Sequence, residues 1–312
     1  MIRILELFGG IGACSKALEK LNIDYEIADY VEIDKSAVKS FNAIHGTNFE
    51  PQDICKWDKD MKVDLIMHGS PCQDFSVAGL QRGGDKDSGT RSSLMYETIR
   101  IIEKLNPKYV IWENVKNLLS KKHIHNFNIY IYILEQLGYV SYFQVLNAKD
   151  YGIPQNRERV FVVSIKQEEN KHFRFPPPIA LEKKVKDILE TNVDEYYYKV
   201  CPSMINALDI GKVKDITNNQ YSQTLTTKQA RWNNAGLIKE NGRYRYLTPL
   251  ECFLLMGFEK EDFLKAQKVT CITQLYKQAG NSIVVNVLEA ILKNLLLEPS
   301  EFEGQMTIFD YL

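Results

Sequence analysis

Residues 3–21 read RILELFGGIGACSKALEKL, and this stretch decides the fold class. The apolar run over residues 3–8 is typical of a buried strand, and residues 11–21 have the apolar spacing of a helix. The glycines between them allow a tight turn and let a ligand approach the backbone closely. A strand joined in this way to a helix is the first half of a β-α-β unit, which predicts a parallel sheet.

The same alternation continues through the first half of the chain. We predict strands over residues 25–31, 63–68, 109–112, 140–146 and 160–165, and helices over residues 35–44, 98–105 and 129–137. This order predicts an α/β fold with a doubly wound, mostly parallel sheet. Ligands bind such sheets at the carboxyl ends of the strands, so the residues that follow each strand are site candidates.

The pattern changes after Ser164. Three prolines at 176–178 are typical of a stiff connection, and the chain from there to about Asn241 is polar and weakly periodic. Helical patterns return over residues 247–256 and 283–297. We therefore predict a first domain over residues 1–175, a smaller irregular domain over 176–272, and a C-terminal helix over 273–312 that returns to the first domain.

Composition excludes several classes of protein. The 312 residues are 45% hydrophobic and 25% charged, with 39 basic and 40 acidic side chains, which excludes a disordered or strongly basic chromatin-like protein. The six cysteines form no C-x-x-C pair, which argues against a zinc ribbon, a redox motif or a disulfide scaffold. Because the apolar runs are short, we expect a cytoplasmic protein with no membrane partner. We also expect no metal site.

Two acidic residues suggest a nucleoside pocket. Glu32 follows the second strand, where an acid commonly accepts the hydroxyls of a ribose. Asp53 lies where we expect the third strand to end, and it would accept from an adenine amine. Each acid alone also fits a surface turn or a helix cap. The glycine spacing over residues 9–12 differs from that of dinucleotide folds, so a pyrophosphate is not required.

A cysteine stands just beyond the predicted strand over residues 63–68. Residues 69–76 read GSPCQDFS, and the start of a turn or helix favours the thiolate form of Cys72. A lone cysteine is otherwise more often a small buried hydrophobe. The glycine-punctuated polar stretch over residues 79–91 is typical of a lid with basic residues, suited to an anionic substrate.

Five motifs together resemble the DNA cytosine-5 methyltransferase family of bacteria and phages. In the order usual for that family they are LFGGIG at 7–12, PCQ at 71–73, ENV at 113–115, QNRER at 155–159 and QAGNS at 278–282. The resemblance runs over nearly the whole chain. It implies that the first domain is catalytic and binds a cofactor, and that residues 176–272 form a target recognition domain.

The resemblance also implies the catalytic residues. The Cys72 thiolate would add to carbon 6 of a cytosine flipped out of the duplex, which makes carbon 5 a nucleophile. Glu113 would contact ring nitrogen 3 and the exocyclic amine, a role suited to a carboxyl group with a raised pKa. Arg157 and Arg159 would hold the cytosine oxygen and the neighbouring phosphate.

S-adenosyl-L-methionine is the cofactor that the resemblance implies. The residues in the corresponding positions are Phe8, Gly10, Ile11, Glu32, Ile33, Asp53, Ile54, Pro71 and Asn281. Ile33 stands where many members have a bulkier aromatic side chain against the adenine.

The expected partner is double-stranded DNA. Residues 211–245 carry seven cations and two anions, a local charge of +5 in a chain of formal charge −1. Residues 223–226 resemble a short Thr-Leu element of the family. We expect DNA contacts from Gln73, Ser76, Arg82, Thr224, Lys228 and Arg231. A short recognition sequence, a monomer and, in a restriction–modification pair, a separately acting endonuclease complete the expectation.

Three alternatives make different predictions. A branch of the family that methylates tRNA carries a Cys-Phe-Thr element ahead of the motif at 246–258, whereas here Cys271, Ile272 and Thr273 follow that motif. A catalytically inactive DNA-binding relic predicts loss of the nucleophile or the acid, but Cys72 and Glu113 are both present. A small-molecule methyltransferase leaves the Pro-Cys motif and the basic second domain unexplained.

Overall fold

Six strands form one sheet in the computed structural model, which describes residues 1–70, 94–229 and 235–298. The strands are β1 Ile2–Leu7, β2 Tyr25–Val31, β3 Leu65–His68, β4 Tyr109–Val115, β5 Tyr139–Asn147 and β6 Glu158–Lys166. Their order is β2-β1-β3-β4-β6-β5. Strands β1 to β4 pair in parallel and β6 runs antiparallel to both of its neighbours. The predicted doubly wound, mostly parallel sheet is confirmed.

Helices cover both faces of the sheet. Their bounds are α1 Ala13–Lys20, α2 Lys35–His45, α3 Leu94–Leu105, α4 Ile124–Gln136, α5 Pro202–Asp209, α6 Pro249–Leu254, α7 Lys260–Ala266, α8 Ile272–Asn281 and α9 Val285–Leu296. Alternate residues of β4 point to opposite cores: Ile111 packs with α1 and α9, whereas Trp112 packs with α3 and α4. None of the helices in these described ranges is long and apolar enough to cross a membrane.

Helix α2 shows how local sequence sets the element bounds. The Asp34 carboxylate accepts hydrogen bonds from the amides of Ser36 at 2.8 Å and Ala37 at 3.3 Å, which satisfies donors at the start of the helix. The helix ends at Gly46, whose φ of 68° is unfavourable for other residues. The prediction for this helix was therefore correct to within one residue.

The prediction of a strand that ends at Asp53 is wrong. Residues 46–53 form a loop, and β1 pairs directly with β3 at 65–68. The loop still reaches the sheet, because the Gln52 amide donates to the Glu32 carbonyl at 2.9 Å. The Asp53 carboxylate accepts from the Cys55 amide at 3.0 Å, at the start of a short 3-10 helix. Asp53 is thus beside the end of β2 for a different reason from the one expected.

The irregular region after Pro178 has little regular structure. It contains α5 and a two-stranded sheet of β7 Ile238–Glu240 and β8 Arg243–Arg245. A small core of its own includes Met204, Val213 and Leu237. Other residues of this region, such as Leu225, join the large core beneath the sheet. This region is therefore packed onto the face of the sheet that carries α1 and α9.

Candidate active site

The loop after β1 has a shape that only glycine permits. Gly12 has a φ of 82°, and a Cβ atom there would lie 2.2 Å from Nε2 of His45. A Cβ on Gly9 would lie 2.7 Å from the ring of Tyr30, whose hydroxyl donates to the Gly10 carbonyl at 2.6 Å. Beside Gly10, by contrast, a Cβ would meet no heavy atom of the described residues within 4 Å. Contacts with His45 and Tyr30 therefore fix one side of the loop. On the other side, beside Gly10, the described residues leave space for a ligand.

Glu32 is held in place beside this loop. Its Oε2 atom accepts from the Gly10 amide at 3.2 Å and its Oε1 atom accepts from the Asp34 amide at 2.9 Å. Burial raises the pKa of Glu32, and these two hydrogen bonds act in the opposite direction. The next side chain, Ile33, is 68% exposed. An oriented acceptor, an exposed apolar surface and open space at Gly10 together fit an adenosyl group.

The other predicted cofactor residues lie around the same edge. Phe8 is half-buried with a φ of 54°, and Asn281 is the exposed last residue of α8. Ile11 and Ile54 are buried, and their carbonyls already accept from His45 Nε2 at 3.1 Å and Arg100 Nη2 at 3.2 Å.

The second half of the edge carries charged side chains. Glu113 on β4 is 7% exposed, and its Oε1 atom lies 3.0 Å from Nε of Arg159 on β6. The antiparallel register pairs Val115 with Arg159, which brings the two side chains to one end of the strand pair. Burial raises the pKa of Glu113, while the positive charges of Arg159 and Arg157 lower it. The site therefore holds a buried acid beside a fixed guanidinium.

The chain that precedes the predicted nucleophile is fixed to β4. The Ser70 hydroxyl accepts from Trp112 Nε1 at 3.2 Å and from Asn114 Nδ2 at 3.1 Å. A Cβ on Gly69 would lie 3.6 Å from Oε2 of Glu113. The predicted site residues Pro71, Cys72, Gln73, Ser76, Arg82 and Arg231 lie outside the described residues.

Arg157 makes contacts that differ from those expected. We expected its guanidinium to hold the cytosine oxygen or the phosphate. The side chain is buried, and Nη1 donates to the Leu225 carbonyl at 3.0 Å while Nη2 donates to the Gly280 and Ser282 carbonyls at 3.1 Å and 2.9 Å. Those acceptors come from distant parts of the chain, so no local pattern could indicate them.

The segment before β6 also makes hydrogen bonds to the irregular region after Pro178 and to the chain beyond it. Gln155 is buried; its Nε2 donates to the Leu255 carbonyl at 2.7 Å and its Oε1 accepts from the Leu225 amide at 2.9 Å. The Thr224 hydroxyl donates to the Asn156 carbonyl at 2.7 Å, and Lys228 is exposed. From the sequence, Gln155 was identified only as the first residue of the QNRER motif, because a buried glutamine has no distinctive periodicity.

Comparison with known proteins places this geometry in one family. The family model described as C-5 cytosine-specific DNA methylase matches residues 2–297. The type II methyltransferase M2.ScrFI of Lactococcus lactis subsp. cremoris is 37% identical, with 95% of this chain and 99% of that protein covered. The type II methyltransferase M.Bsp6I of Bacillus sp. (strain RFL6) is 35% identical, with 95% and 98% covered.

Solved structures show the same fold at lower identity. A mutant of Spodoptera frugiperda DNMT2 superposes with a TM-score of 0.79 at 22% identity, with 95% of this chain and 99% of that chain covered. A DNA modification methyltransferase described as putative and encoded in an Escherichia coli prophage gives a TM-score of 0.72 at 20% identity, with 95% and 98% covered.

Proposed function

We propose a specific reaction for this chain, which belongs to the C-5 cytosine-specific DNA methylase family. It transfers a methyl group from S-adenosyl-L-methionine to carbon 5 of a cytosine within a short duplex sequence. The observation that carries the proposal is the pair of buried Glu113 and partly buried Arg159, 3.0 Å apart, beside the segment that leads to Cys72. An acid and a cation in that arrangement, close to the point in the chain from which a cysteine follows, suit covalent activation of a pyrimidine.

The chemistry begins at the thiol. Its sulfur forms a bond to carbon 6 of the flipped cytosine, while Glu113 gives a proton to ring nitrogen 3 and so neutralises the charge that develops on the ring. Carbon 5 then has enamine character and attacks an electrophilic methyl group. A base removes the hydrogen on carbon 5 and the bond from Cys72 to carbon 6 breaks to release the thiolate. Ring nitrogen 3 returns its proton to the Glu113 carboxylate, and the 5-methylcytosine is released.

In this scheme Arg159 contacts both the carboxyl group of Glu113 and the flipped cytosine nucleotide. Its Nε atom orients the Glu113 carboxyl group, and its remaining guanidinium hydrogens are suited to the cytosine oxygen or the neighbouring phosphate. Arg157 would contribute through the backbone that it holds, together with its charge near Glu113.

The cofactor supplies a methyl group on a positively charged sulfur. Glu32 would accept the ribose hydroxyls, the exposed Ile33 side chain would lie against the adenine, and Asp53 would accept from the adenine amine. Phe8, Gly10, Ile11, Ile54, Pro71 and Asn281 complete the proposed contacts. The space beside Gly10 supports this placement, since none of the described residues comes within 4 Å of a Cβ built there.

DNA would bind across the edge between the catalytic and recognition regions. The proposed contacts are Gln73, Ser76, Arg82, Thr224, Lys228 and Arg231, and the net charge of +5 over residues 211–245 supports them. The domain limits at 175 and 272, a monomeric state, a cytoplasmic location and a separate cognate endonuclease belong to the same proposal. The names of M2.ScrFI and M.Bsp6I support a role in type II restriction–modification.

Labelled S-adenosyl-L-methionine tests the proposal. Methyl transfer is measured on mixed genomic DNA and separately on bulk tRNA, followed by bisulfite sequencing. We expect label on DNA, at carbon 5 of cytosine in one short context. Label on tRNA alone would overturn the choice of substrate, and label on neither with cofactor binding intact would favour the inactive relic.

A further inference from the structure

Arg157 joins two segments that the proposed reaction assigns to different ligands. The recognition segment, residues 222–228, contains Leu225, whose carbonyl accepts from Nη1 at 3.0 Å. The cofactor turn, residues 280–282, contains Gly280 and Ser282, whose carbonyls accept from Nη2. Asn281, a proposed cofactor contact, lies between these two acceptors. One planar group therefore fixes the main chain on both sides of the site.

The two segments also touch directly. A Cβ atom on Gly280 would lie 2.4 Å from the carbonyl carbon of Thr226 and 2.5 Å from the amide nitrogen of Thr227. Since these neighbours are backbone atoms, a displacement of either segment has to move the other. Glycine at 280 is required for this approach.

The recognition segment is tied to the same motif at further points. The Asn156 amide donates to the Ser222 carbonyl at 2.8 Å, and the Leu225 amide donates to Gln155 Oε1 at 2.9 Å. Residues 155–157 thus hold residues 222–225 through main-chain and side-chain bonds, and Arg157 extends that frame to the cofactor turn. A buried guanidinium is costly unless its donors are satisfied, and here carbonyls from both segments are needed to satisfy Nη1 and Nη2.

We infer that Arg157 is a positioning residue that couples the two ligands, so that DNA bound on the recognition segment tightens cofactor binding and the cofactor tightens DNA binding. A ligand that orders one segment lowers the entropy cost of ordering the other, and linkage makes the effect reciprocal. The inference rests on the proposed function for the identity of the ligands, and its structural basis is the three carbonyl contacts.

Binding measurements with S-adenosylhomocysteine test the coupling. The dissociation constant of S-adenosylhomocysteine is measured by calorimetry with and without a DNA duplex that contains the sequence in which the protein methylates cytosine. In the wild type we expect the duplex to tighten binding by about 5- to 100-fold, the usual range of such coupling. Arg157→Lys keeps the charge but loses the planar fork, and we expect the effect of DNA to fall below about twofold. Wild-type coupling in a folded Arg157→Lys protein would overturn the inference.

Arg100→Lys is the matched control. Arg100 also donates to two carbonyls, of Ile54 and Trp57, but both acceptors lie in one short segment. Because Ile54 is a proposed cofactor contact, the quantity compared is the ratio of the dissociation constants with and without DNA, and we expect this variant to keep the wild-type ratio. Equal loss of coupling in both variants would contradict a specific role for Arg157.

A second measurement needs no variant. Hydrogen exchange of the wild type is followed with and without S-adenosylhomocysteine, in the absence of DNA. We expect slower exchange in residues 222–228 as well as 280–282. No change in residues 222–228 would overturn the coupling. Failure of the wild type to bind S-adenosylhomocysteine would instead overturn the proposed function, and this inference with it.

Discussion

The two halves of the sheet edge use different chemical groups: mainly backbone around β1 and β2, and charged side chains around β4 and β6. Around β1 and β2 the surface is made by backbone, with Gly9 and Gly12 wedged against aromatic and histidine rings and Glu32 held by two amides. Around β4 and β6 it is made by the charged pair of Glu113 and Arg159. A ligand that is bound without exchanging protons with the protein, such as the proposed cofactor, can be recognised by the shape of the main chain. The cytosine ring gains and loses a proton during the proposed reaction, and it therefore needs neighbouring side chains whose pKa values are shifted. Changes in the first half should therefore alter binding, and changes in the second should alter chemistry.

The largest effect should follow Cys72→Ser. We expect methyl transfer to fall by roughly a thousandfold or more, because a hydroxyl is a far weaker nucleophile at neutral pH. Affinity for S-adenosylhomocysteine should stay within about twofold, measured by calorimetry. Substantial remaining transfer would remove the covalent mechanism and with it the contrast between the two halves.

Arg159→Met should change the pH dependence of the chemical step. The charge of Arg159 lowers the pKa of Glu113, so its removal raises that pKa further above the usual carboxyl range. Since the step uses the protonated carboxyl group, the alkaline limb of the single-turnover rate should move to higher pH, with a rate about 10- to 100-fold lower at neutral pH. In the added background of Glu113→Gln this shift should disappear. A shift that survives would assign the limb to another group.

Gly12→Ala should weaken binding in the first half. The new methyl group would meet Nε2 of His45 at 2.2 Å and would also require a φ of 82°. We expect roughly tenfold weaker S-adenosylhomocysteine binding and a lower melting temperature. Gly10→Ala is the control for melting temperature, since it carries the backbone strain with no clash. Equal melting temperatures in the two variants would show that the contact with His45 is unimportant.

Ile33→Trp should give the smallest effect and in the opposite direction. Ile33 is 68% exposed, so a larger side chain can be accommodated there, and the tryptophan ring would offer a stacking surface to the adenine. We expect two- to tenfold tighter S-adenosylhomocysteine binding in calorimetry, with no change in the single-turnover rate. Unchanged affinity would place the adenine elsewhere.

The sequence predicted best what depends on local pattern. Helix α2 has a capping aspartate at one end and a glycine at the other, and its predicted bounds agree with the structure. Helix α8 was not predicted as a separate element: we expected one C-terminal helix over residues 273–312, whereas the structure has α8 and α9 with a break between residues 281 and 285. The predicted start of α4 was five residues late, because its first turn contains asparagine and histidine.

Site residues divide in the same way. Glu32 was found because it follows the second predicted strand, and Glu113 because the ENV motif at 113–115 resembles that of the family at the end of another predicted strand. The partners of Arg157 could not be found, because its acceptors lie 68, 123 and 125 residues away along the chain. Such contacts depend on tertiary packing, and one sequence without aligned relatives holds no trace of them.

The late position of α9 has a consequence for biosynthesis. Leu288 and Leu292 are fully buried in the same core as Ala17 and Leu18 of α1, and Lys20 lies 3.0 Å from Glu289. The apolar face of α1 is therefore covered only after α9, far along the chain, has been translated. Arg157 likewise lacks two of its three carbonyl acceptors until residues 280–282 have been translated. A nascent chain thus exposes the apolar face of α1 until residues 285–296 have been translated, and the contacts of Arg157 are complete only after residues 280–282 have emerged.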